Sequence, residues 1–218
     1  MPDLEELGGR VVQALGESLV CLFFMGSRSR GDEREESDYD FIAIVSELSE
    51  ERMLAMREAF SHLSGLSIYV LDGDDVRTLP KAEFLEFTRS RKLYGDFEYA
   101  LPSKKDVLDY VVFCCREQLD AMRHYIILPH TNEKLGSVLY PSLKRASFYL
   151  SYLAYVQTGK LPMTRKDLLS YLESIGGHQL EIRMMRILVD WDSHEDEYLR
   201  NPLPLLLQIE ALYRTLRV

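Results

Sequence analysis

The sequence predicts an α+β protein in two parts: a small domain of strands and helices to about residue 102, then an all-α bundle. Two short apolar runs beside turn residues, VCLFFM and DFIAIV, predict buried strands in the first part. After residue 102, apolar residues recur at helical spacing, and prolines and a Gly-Gly pair divide the helices. An S-x-x-D capping box, Ser103 to Asp106, marks the start of the second part.

In the first part, apolar residues at helical spacing predict a helix over 3–18, and the run that ends at Gly26 predicts a strand. Ser49 is the expected N-cap of a second helix, over 49–63, which Gly65 is expected to close. The remaining elements are strands over 40–45, 66–72 and the segment that ends at Gly95, with a short helical piece over 82–89. In the second part we expect helices over 104–128, 134–158, 164–175, 178–192 and 203–217.

The composition is that of a globular protein and excludes several classes. Of 218 residues, 46% are hydrophobic and 28% charged, and no apolar run approaches the roughly 20 residues of a membrane span. The N-terminus, MPDLEELGG, lacks the apolar segment of a signal peptide. The three cysteines fit neither a disulfide framework nor a metal site, so we expect a cytoplasmic protein.

The charge is uneven along the chain. Residues 1–102 contain 21 Asp and Glu but 11 Lys and Arg, a net charge of −10, whereas the rest has a net charge of +1. An acidic surface disfavours a nucleic-acid partner, because binding to the phosphate backbone requires a basic one. The same surface attracts a cationic small molecule.

The stretch GSRSRGDEREESDYDFIAIV, residues 26–45, contains two features that fit nucleotide chemistry. A strand that ends in Gly26-Ser27 before a helical turn presents free backbone N–H groups to an anion, and Arg30 can add a charged fork for phosphate oxygens. Asp38 and Asp40 are two apart at a strand start, so both point to one face. Paired carboxylates repel unless a cation lies between them, and Mg²⁺ commonly uses such ligands together with substrate phosphates. Alone, an acid-rich loop of this kind is usually a solvated turn.

Taken together, these residues resemble the signature G-S-x-x-x-[GR]…S-D-x-D of the DNA polymerase β-like nucleotidyltransferase superfamily, especially small bacterial and antibiotic nucleotidyltransferases. The resemblance rests on Gly26, Ser27, Arg30, Gly31, Ser37, Asp38 and Asp40. It implies a small mixed β-sheet domain over 1–102 with flanking helices, and a helical substrate- or partner-binding bundle over 103–218.

The resemblance also implies roles for individual residues. Gly26, Ser27 and Arg30 would hold the triphosphate of ATP or another nucleoside triphosphate, and Asp38 and Asp40 would bind Mg²⁺. The family usually places a third carboxylate on the next strand, where this chain has Ser67 in LSIYVLD. Serine is a poor ligand for the catalytic metal and cannot act as a base. Asp72 has the opposite strand parity and is an imperfect substitute.

The helical part offers candidates for a missing base. Glu117 and Asp120 are three apart on the predicted helix 104–128 and therefore share a face. Some antibiotic nucleotidyltransferases use a glutamate of the helical domain as base toward the acceptor hydroxyl, which makes Glu117 the first candidate and Asp120 the second. The alternative is an ordinary solvated helix face. Arg123 and His130 loosely resemble the R-x(4–6)-H motif of HEPN ribonucleases, but the pattern is short and common.

Two functions follow from these patterns. The first is an enzyme that transfers a nucleoside monophosphate, AMP from ATP, to a hydroxyl of an aminoglycoside-like small molecule or of a protein. The second is a degenerate, non-catalytic module that binds nucleotide or masks a partner, which Ser67 favours. The sequence leaves the acceptor, the preferred base and the oligomeric state open, a homodimer included.

Overall fold

The structure is a computed structural model that describes residues 3–217, and the chain divides into two compact units, Met1–Pro102 and Ser103–Val218. The first unit contains a four-stranded mixed sheet in the order β3-β2-β1-β4. Strand β1 pairs antiparallel with both β2 and β4, whereas β2 and β3 are parallel. Its strands are β1 Leu19–Met25, β2 Tyr39–Val45, β3 Leu66–Leu71 and β4 Arg91–Gly95, and its helices are α1 Leu4–Leu15, α2 Gly26–Arg30, α3 Glu50–Phe60, α4 Gly73–Thr78 and α5 Phe84–Thr88.

Each face of the sheet has its own core. On one face, α1 and α3 pack on strand residues such as Phe24 and Phe41. Leu7, Val11 and Leu15 are spaced four residues apart, which places one stripe of α1 in this core. The other face is covered by aromatic residues from α5 and the segment after β4. This second core joins Cys21, Phe23, Ile44 and Phe87 to partly buried Ile42, Val76, Leu79, Phe84, Phe97 and Tyr99.

The second unit consists of six helices within the described residues. They are α6 Lys104–Ile127, α7 Asn132–Thr158, α8 Arg165–Ile175, α9 Gln179–Val189, α10 Trp191–Arg200 and α11 Leu203–Leu216. Ser103 caps α6 through the predicted box, because its hydroxyl accepts from the Asp106 N–H and the Asp106 side chain accepts from the Ser103 N–H. Helices α6, α7 and α11 pack against one another, and the Tyr213 hydroxyl donates to the Ser142 carbonyl at 2.7 Å in their core. None of the described helices combines the length and apolar character that crossing a bilayer requires.

The predicted α+β class, with a small mixed sheet followed by a helical bundle, is confirmed. Several details were wrong. The first helix ends at Leu15, after which Gly16–Ser18 form a 3₁₀ turn. Gly65 does not close α3, which ends at Phe60; it lies at the start of β3 with φ +70°, and its carbonyl accepts from the Tyr39 N–H.

Two short helices were not predicted. Helix α4 begins directly after β3, and α10 is separate from the helix predicted over 178–192. Asp72 is the N-cap of α4, where its side chain accepts from the Asp74 and Asp75 N–H groups at 2.8 and 2.9 Å. A side chain engaged in this capping box is a helix cap, which removes the main reason to regard Asp72 as a substitute carboxylate.

Candidate nucleotide site

The centre of the candidate site is the contact between Gly26 and Asp40. Gly26 follows β1 with φ +77°, and its neighbour Met25 lies opposite Asp40 in the antiparallel register of β1 and β2. A Cβ added at Gly26 would overlap the Asp40 Oδ2 atom and lie 2.8 Å from Cγ. The carboxylate of Asp40 therefore lies directly on the backbone where α2 begins, and only glycine leaves room for it.

Ser67 lies beside Asp40 on the neighbouring strand. The parallel register of β2 and β3 pairs Asp40 with Ser67, and residues directly opposite one another point to the same face of a sheet. The position next to Asp40 holds a hydroxyl group in place of a carboxylate.

Asp38 lies one residue before β2 and is exposed, whereas Asp40, on the strand, is partly exposed. Both carboxylates are thus at the same end of β2. Within residues 3–217, no group of three or more His, Cys, Asp or Glu side chains is placed to hold a metal ion. The donor set fits Mg²⁺ that takes one or two carboxylates from the protein and its other ligands from water and substrate phosphates.

Helix α2 is only one turn long. Gly31 caps its C-terminus with φ +72°, and the Gly31 N–H donates to the Ser27 carbonyl. So short a helix has a small dipole, and its contribution to anion binding comes from the backbone N–H groups of its first turn. Ser27 is 2% exposed. Its predicted contact with phosphate stays a prediction.

Arg28 fixes the loop that leads to Asp38, a role that the sequence analysis missed. Its Nε donates to the Ser37 carbonyl at 2.7 Å and its Nη2 to the Glu35 carbonyl at 3.1 Å. The guanidinium lies 4.7 Å from the centre of the Tyr39 ring, within cation–π range. An arginine inside the G-S-x-x-x motif was the available signal, but its acceptors are main-chain carbonyls, which no side-chain pattern reveals.

Ser37, the serine of the S-D-x-D pattern, closes a turn in the same loop. Its hydroxyl accepts from the Arg34 N–H at 2.9 Å, and its own N–H donates to the Arg34 carbonyl at 3.0 Å. This turn directly precedes Asp38, so Ser37 helps to position the backbone of Asp38.

Arg30 lies between two carboxylates. Its side chain is 5% exposed, with Nε 3.7 Å from Asp32 Oδ2 and Nη1 3.9 Å from Glu86 Oε2. Glu86 in turn accepts two hydrogen bonds from Arg89, of 2.9 and 2.6 Å. The predicted binding of phosphate by Arg30 stays a prediction, and the sequence analysis did not include Asp32, Glu86 or Arg89. The i,i+3 pair Glu86–Arg89 was visible in the sequence, but its proximity to Arg30 was not.

Glu117 and Asp120 belong to the second unit. Both are exposed on α6, opposite the buried stripe that includes Cys115 and Leu119. This placement is that of an ordinary solvated helix face and also leaves both carboxylates accessible to a ligand. Their predicted role as base stays a prediction.

The fold has a known counterpart. Spectinomycin adenyltransferase AAD(9) from Enterococcus faecialis, solved with ATP and spectinomycin, matches 99% of this chain over 98% of its own, with a TM-score of 0.57 and 14% identity. The chain therefore shares its fold with this adenyltransferase. The predicted resemblance is confirmed at the level of the fold, across the lengths of both chains.

Two toxin–antitoxin structures match part of this chain less closely. One, solved with AMP-PNP, has a TM-score of 0.34 and 19% identity over 57% of this chain and 96% of its own. The other, a mutant of MntA-HpeT, has a TM-score of 0.32 and 17% identity over 56% of this chain and 94% of its own. No family model and no curated protein matches the sequence.

Proposed function

We propose that the protein is a Mg²⁺-dependent nucleotidyltransferase that moves AMP from ATP to a hydroxyl group of an acceptor. The observation that carries the proposal is the Asp40 carboxylate packed on the Gly26 backbone, with Asp38 at the same strand end. A carboxylate pair next to a backbone turn that accepts phosphate is the minimum apparatus for this reaction. The fold shared with an adenyltransferase solved with ATP supports the same conclusion.

In this proposal, Asp38 and Asp40 hold Mg²⁺, and Gly26 and Ser27 receive the phosphates. The bound metal would neutralise charge on the phosphates and make the acceptor hydroxyl more acidic. The chain's own residues orient the triphosphate, since the tight contact between Gly26 and Asp40 fixes the distance between carboxylate and phosphate-binding backbone. Such fixed geometry is worth more to the reaction than contact strength alone.

The acceptor is a small molecule of the aminoglycoside type or a protein side chain. The net charge of −10 over residues 1–102 favours a cationic acceptor, and the adenyltransferase of similar fold was solved with spectinomycin. Glu117 is the first candidate for the base that receives the acceptor's proton, and Asp120 the second.

A second function is favoured by one observation, the serine that lies opposite Asp40. Ser67 leaves the strand pair β2–β3 with a single carboxylate at that position. A site that binds ATP and Mg²⁺ without transferring the nucleotide would act as a sensor or would mask a partner.

Titration calorimetry with ATP and Mg²⁺, together with pyrophosphate release across a panel of acceptors, separates the two functions. For an enzyme, Asp38→Asn and Asp40→Asn each abolish release, because the loss of one charge weakens metal binding. The melting temperature of either variant holds or rises, because repulsion between the carboxylates is relieved. Glu36→Gln, which removes an exposed carboxylate of the same loop, is the matched control and keeps its activity. Turnover near the wild-type rate in Asp40→Asn would contradict the proposed site, and binding without turnover in the wild type would establish the second function.

A further inference from the structure

Four charged side chains form a cluster between α2 and α5, which we call the α2–α5 cluster: Asp32, Arg30, Glu86 and Arg89. Arg30 contacts Asp32 and Glu86 at 3.7 and 3.9 Å, and Arg89 binds both oxygens of Glu86. The side chains of Arg30, Arg89 and Asp32 are 5%, 4% and 8% exposed, and that of Glu86 is 14% exposed. Removing charges from water is costly unless they are paired, so the cluster is a built element of the fold and not a chance surface contact.

Burial limits what Arg30 can do at the phosphate site. To contact a triphosphate directly, the Arg30 guanidinium would have to break its ion pairs with Asp32 and Glu86 and leave a position in which its side chain is only 5% exposed. Breaking ion pairs in so poorly solvated a place costs free energy, because the attraction between the charges is stronger there than in water. The structure therefore favours a role for Arg30 in which it stays where it is.

We propose that Arg30 is a positioning residue, which acts through Glu86 to hold α2 and the following loop against α5 and does not contact the triphosphate itself. The inference rests on the proposed function and departs from the direct contact that the sequence suggested for Arg30. Glu86 becomes a required partner, and Arg89 serves to hold Glu86 in place.

The path of the chain explains why the contact of Arg30 with Glu86 would affect the nucleotide site. Arg30 is the last residue of α2, and Gly26, the first, lies against Asp40. The Asp32 N–H donates to the Ser27 carbonyl at 3.0 Å, so the residue after Gly31 is tied back to the start of the helix. Any movement of Arg30 is therefore transmitted over one turn to the backbone beside Asp40.

Helix α5 holds Glu86, the partner of Arg30, in a fixed position. Its Leu85 is fully buried, and its Phe87 ring lies 4.8 Å from that of Phe23 on β1. Arg89 donates from Nε to Glu86 Oε2 and from Nη2 to Oε1, a paired arrangement that fixes the plane of the carboxylate. The strand that ends at Gly26 and the helix that holds Arg30 in place thus share one aromatic core.

A double-mutant cycle tests the proposal. ATP affinity in the presence of Mg²⁺ is measured by calorimetry for the wild type, Arg30→Gln, Glu86→Gln and the double variant. If Arg30 acts through Glu86, both single variants weaken ATP binding by similar factors, within the roughly 5–150-fold range typical of coupled sites, and the double variant is no weaker than either. If Arg30 binds phosphate directly, Arg30→Gln weakens binding strongly, while Glu86→Gln releases the guanidinium and leaves binding unchanged or tighter. That second pattern overturns the proposal.

Controls separate positioning from loss of the fold. All affinities are measured at a temperature where circular dichroism shows every variant folded. Glu210→Gln removes a buried carboxylate between two arginines in the second unit and is expected to lower stability without moving ATP affinity. If it weakens ATP binding as much as Glu86→Gln does, the effect is general destabilisation and the proposal fails.

The conservative variant adds a further readout. Arg30→Lys keeps the positive charge but lacks the planar fork that reaches two carboxylates. We therefore expect that, on a logarithmic scale, lysine at this position recovers less than half of the ATP affinity that Arg30→Gln loses. Full restoration by lysine would show that a point charge suffices and would overturn the proposed positioning role of Arg30. A wild-type chain that binds no ATP would refute the proposed function itself, and with it this inference, whereas unequal single variants in an ATP-binding chain refute the positioning role alone.

Discussion

Each unit of the protein buries a glutamate between two arginines, yet the two clusters differ in what surrounds them. In the first unit, Glu86 lies between Arg30 and Arg89, whose side chains are 5% and 4% exposed. The cluster joins two short helices, one of which carries the start of the glycine–serine motif. Neither helix is long enough to hold its position through its own hydrogen bonds.

In the second unit, Glu210 is 8% exposed and its two partners reach it from the surface. Arg123 on α6 approaches at 3.2 Å with its side chain 44% exposed, and Arg214, one turn along α11, is 60% exposed. Helices α6 and α11 already pack along apolar residues such as Leu119 and Leu212. The cluster adds a polar contact to an interface that apolar packing defines.

The comparison teaches that a glutamate between two arginines can have different effects. The effect depends on whether apolar packing already holds together the helices that the ion pairs join. Where short helices depend on the ion pairs, the pairs decide the geometry of a site. Where long helices pack by themselves, the pairs contribute stability only. Substitutions that remove a charge from the α2–α5 cluster are therefore expected to change nucleotide binding, and substitutions of Glu210 to change the free energy of unfolding alone.

The largest effect is expected from Gly26→Ala. The substitution places a methyl group on the Asp40 carboxylate and forces alanine into the left-handed region, at φ +77°. The conformational strain costs about 1–2 kcal/mol of stability, and displacement of Asp40 should weaken binding of ATP with Mg²⁺ by at least about tenfold, or 1.4 kcal/mol. Calorimetry and urea unfolding measure the two effects separately.

Gly31→Ala is the matched control for strain. Gly31 has nearly the same φ, +72°, but a Cβ there meets no atom within 4 Å. Both variants should lose stability through the strained φ, Gly26→Ala the more because its Cβ also overlaps Asp40, and only Gly26→Ala should lose ATP affinity. Equal ATP affinities in the two variants would show that the contact of Gly26 with Asp40 has no part in nucleotide binding. The first unit would then differ from the second in no way that concerns the nucleotide.

The next effect concerns Ser67. Ser67→Asp places a second carboxylate beside Asp40 on the adjacent strand, where it can complete a metal ligand set and help to activate the acceptor hydroxyl. General-base help is worth about 10²–10⁴-fold in well-placed cases, so an imperfect carboxylate should still raise turnover about tenfold. Added repulsion should also lower the melting temperature without Mg²⁺ and make the stabilisation by Mg²⁺ larger than in the wild type.

Two variants complete that test. Ser67→Asn has the size of aspartate without its charge and should leave turnover and the Mg²⁺ response unchanged. If Glu117 already supplies the base, Ser67→Asp will have little effect on turnover, whereas Glu117→Gln will reduce it severely. If neither variant differs from a parent that binds ATP without turnover, the binding-module function replaces the enzyme.

Much of the fold could be predicted because its signals are local. The glycine that ends β1, the cap at Ser49 and the box at Ser103 each depend on residues within one turn, and the structure contains all three features. Helix α10 gave no such signal, since only Trp191 among its residues is buried and the rest form no apolar stripe. Helix α4 is six residues long and buries none of them.

The candidate site divides in the same way. Asp40 and Ser67 were predictable as neighbours because strand parity and pairing order determine which residues face each other. The partner of Arg30 was not predictable, because Glu86 is 56 residues away and reaches it through the packing of α5 on β1. Long-range ion pairs depend on tertiary packing, and no periodic pattern in a single sequence encodes them.

The smallest effect is expected from Glu210→Gln, and its dependence on pH tests the second half of the comparison. Burial raises the pKa of Glu210, but hydrogen bonds and charge from Arg214 and Arg123 outweigh it, so the pKa lies below its usual value. A carboxyl group with a lowered pKa in the folded state stabilises the fold above its unfolded pKa, about 4.3, and loses that contribution as the pH falls through the folded value. Because both arginines are well exposed, solvent screening reduces the contribution, and we expect the substitution to cost about 1–2 kcal/mol at pH 7.

Urea unfolding followed by the fluorescence of Trp191, the single tryptophan and a buried residue of the second unit, measures this difference where it arises. The wild type and Glu210→Gln should differ in unfolding free energy at pH 7, and the difference should shrink as the pH falls below the ordinary glutamate pKa of about 4.3 and through the lowered pKa of folded Glu210. A difference that persists unchanged at low pH would mean that the glutamine disturbs packing and that charge is not the cause. An equal loss of ATP affinity would show instead that the cluster on α11 reaches the nucleotide site, and the two clusters would no longer differ in kind.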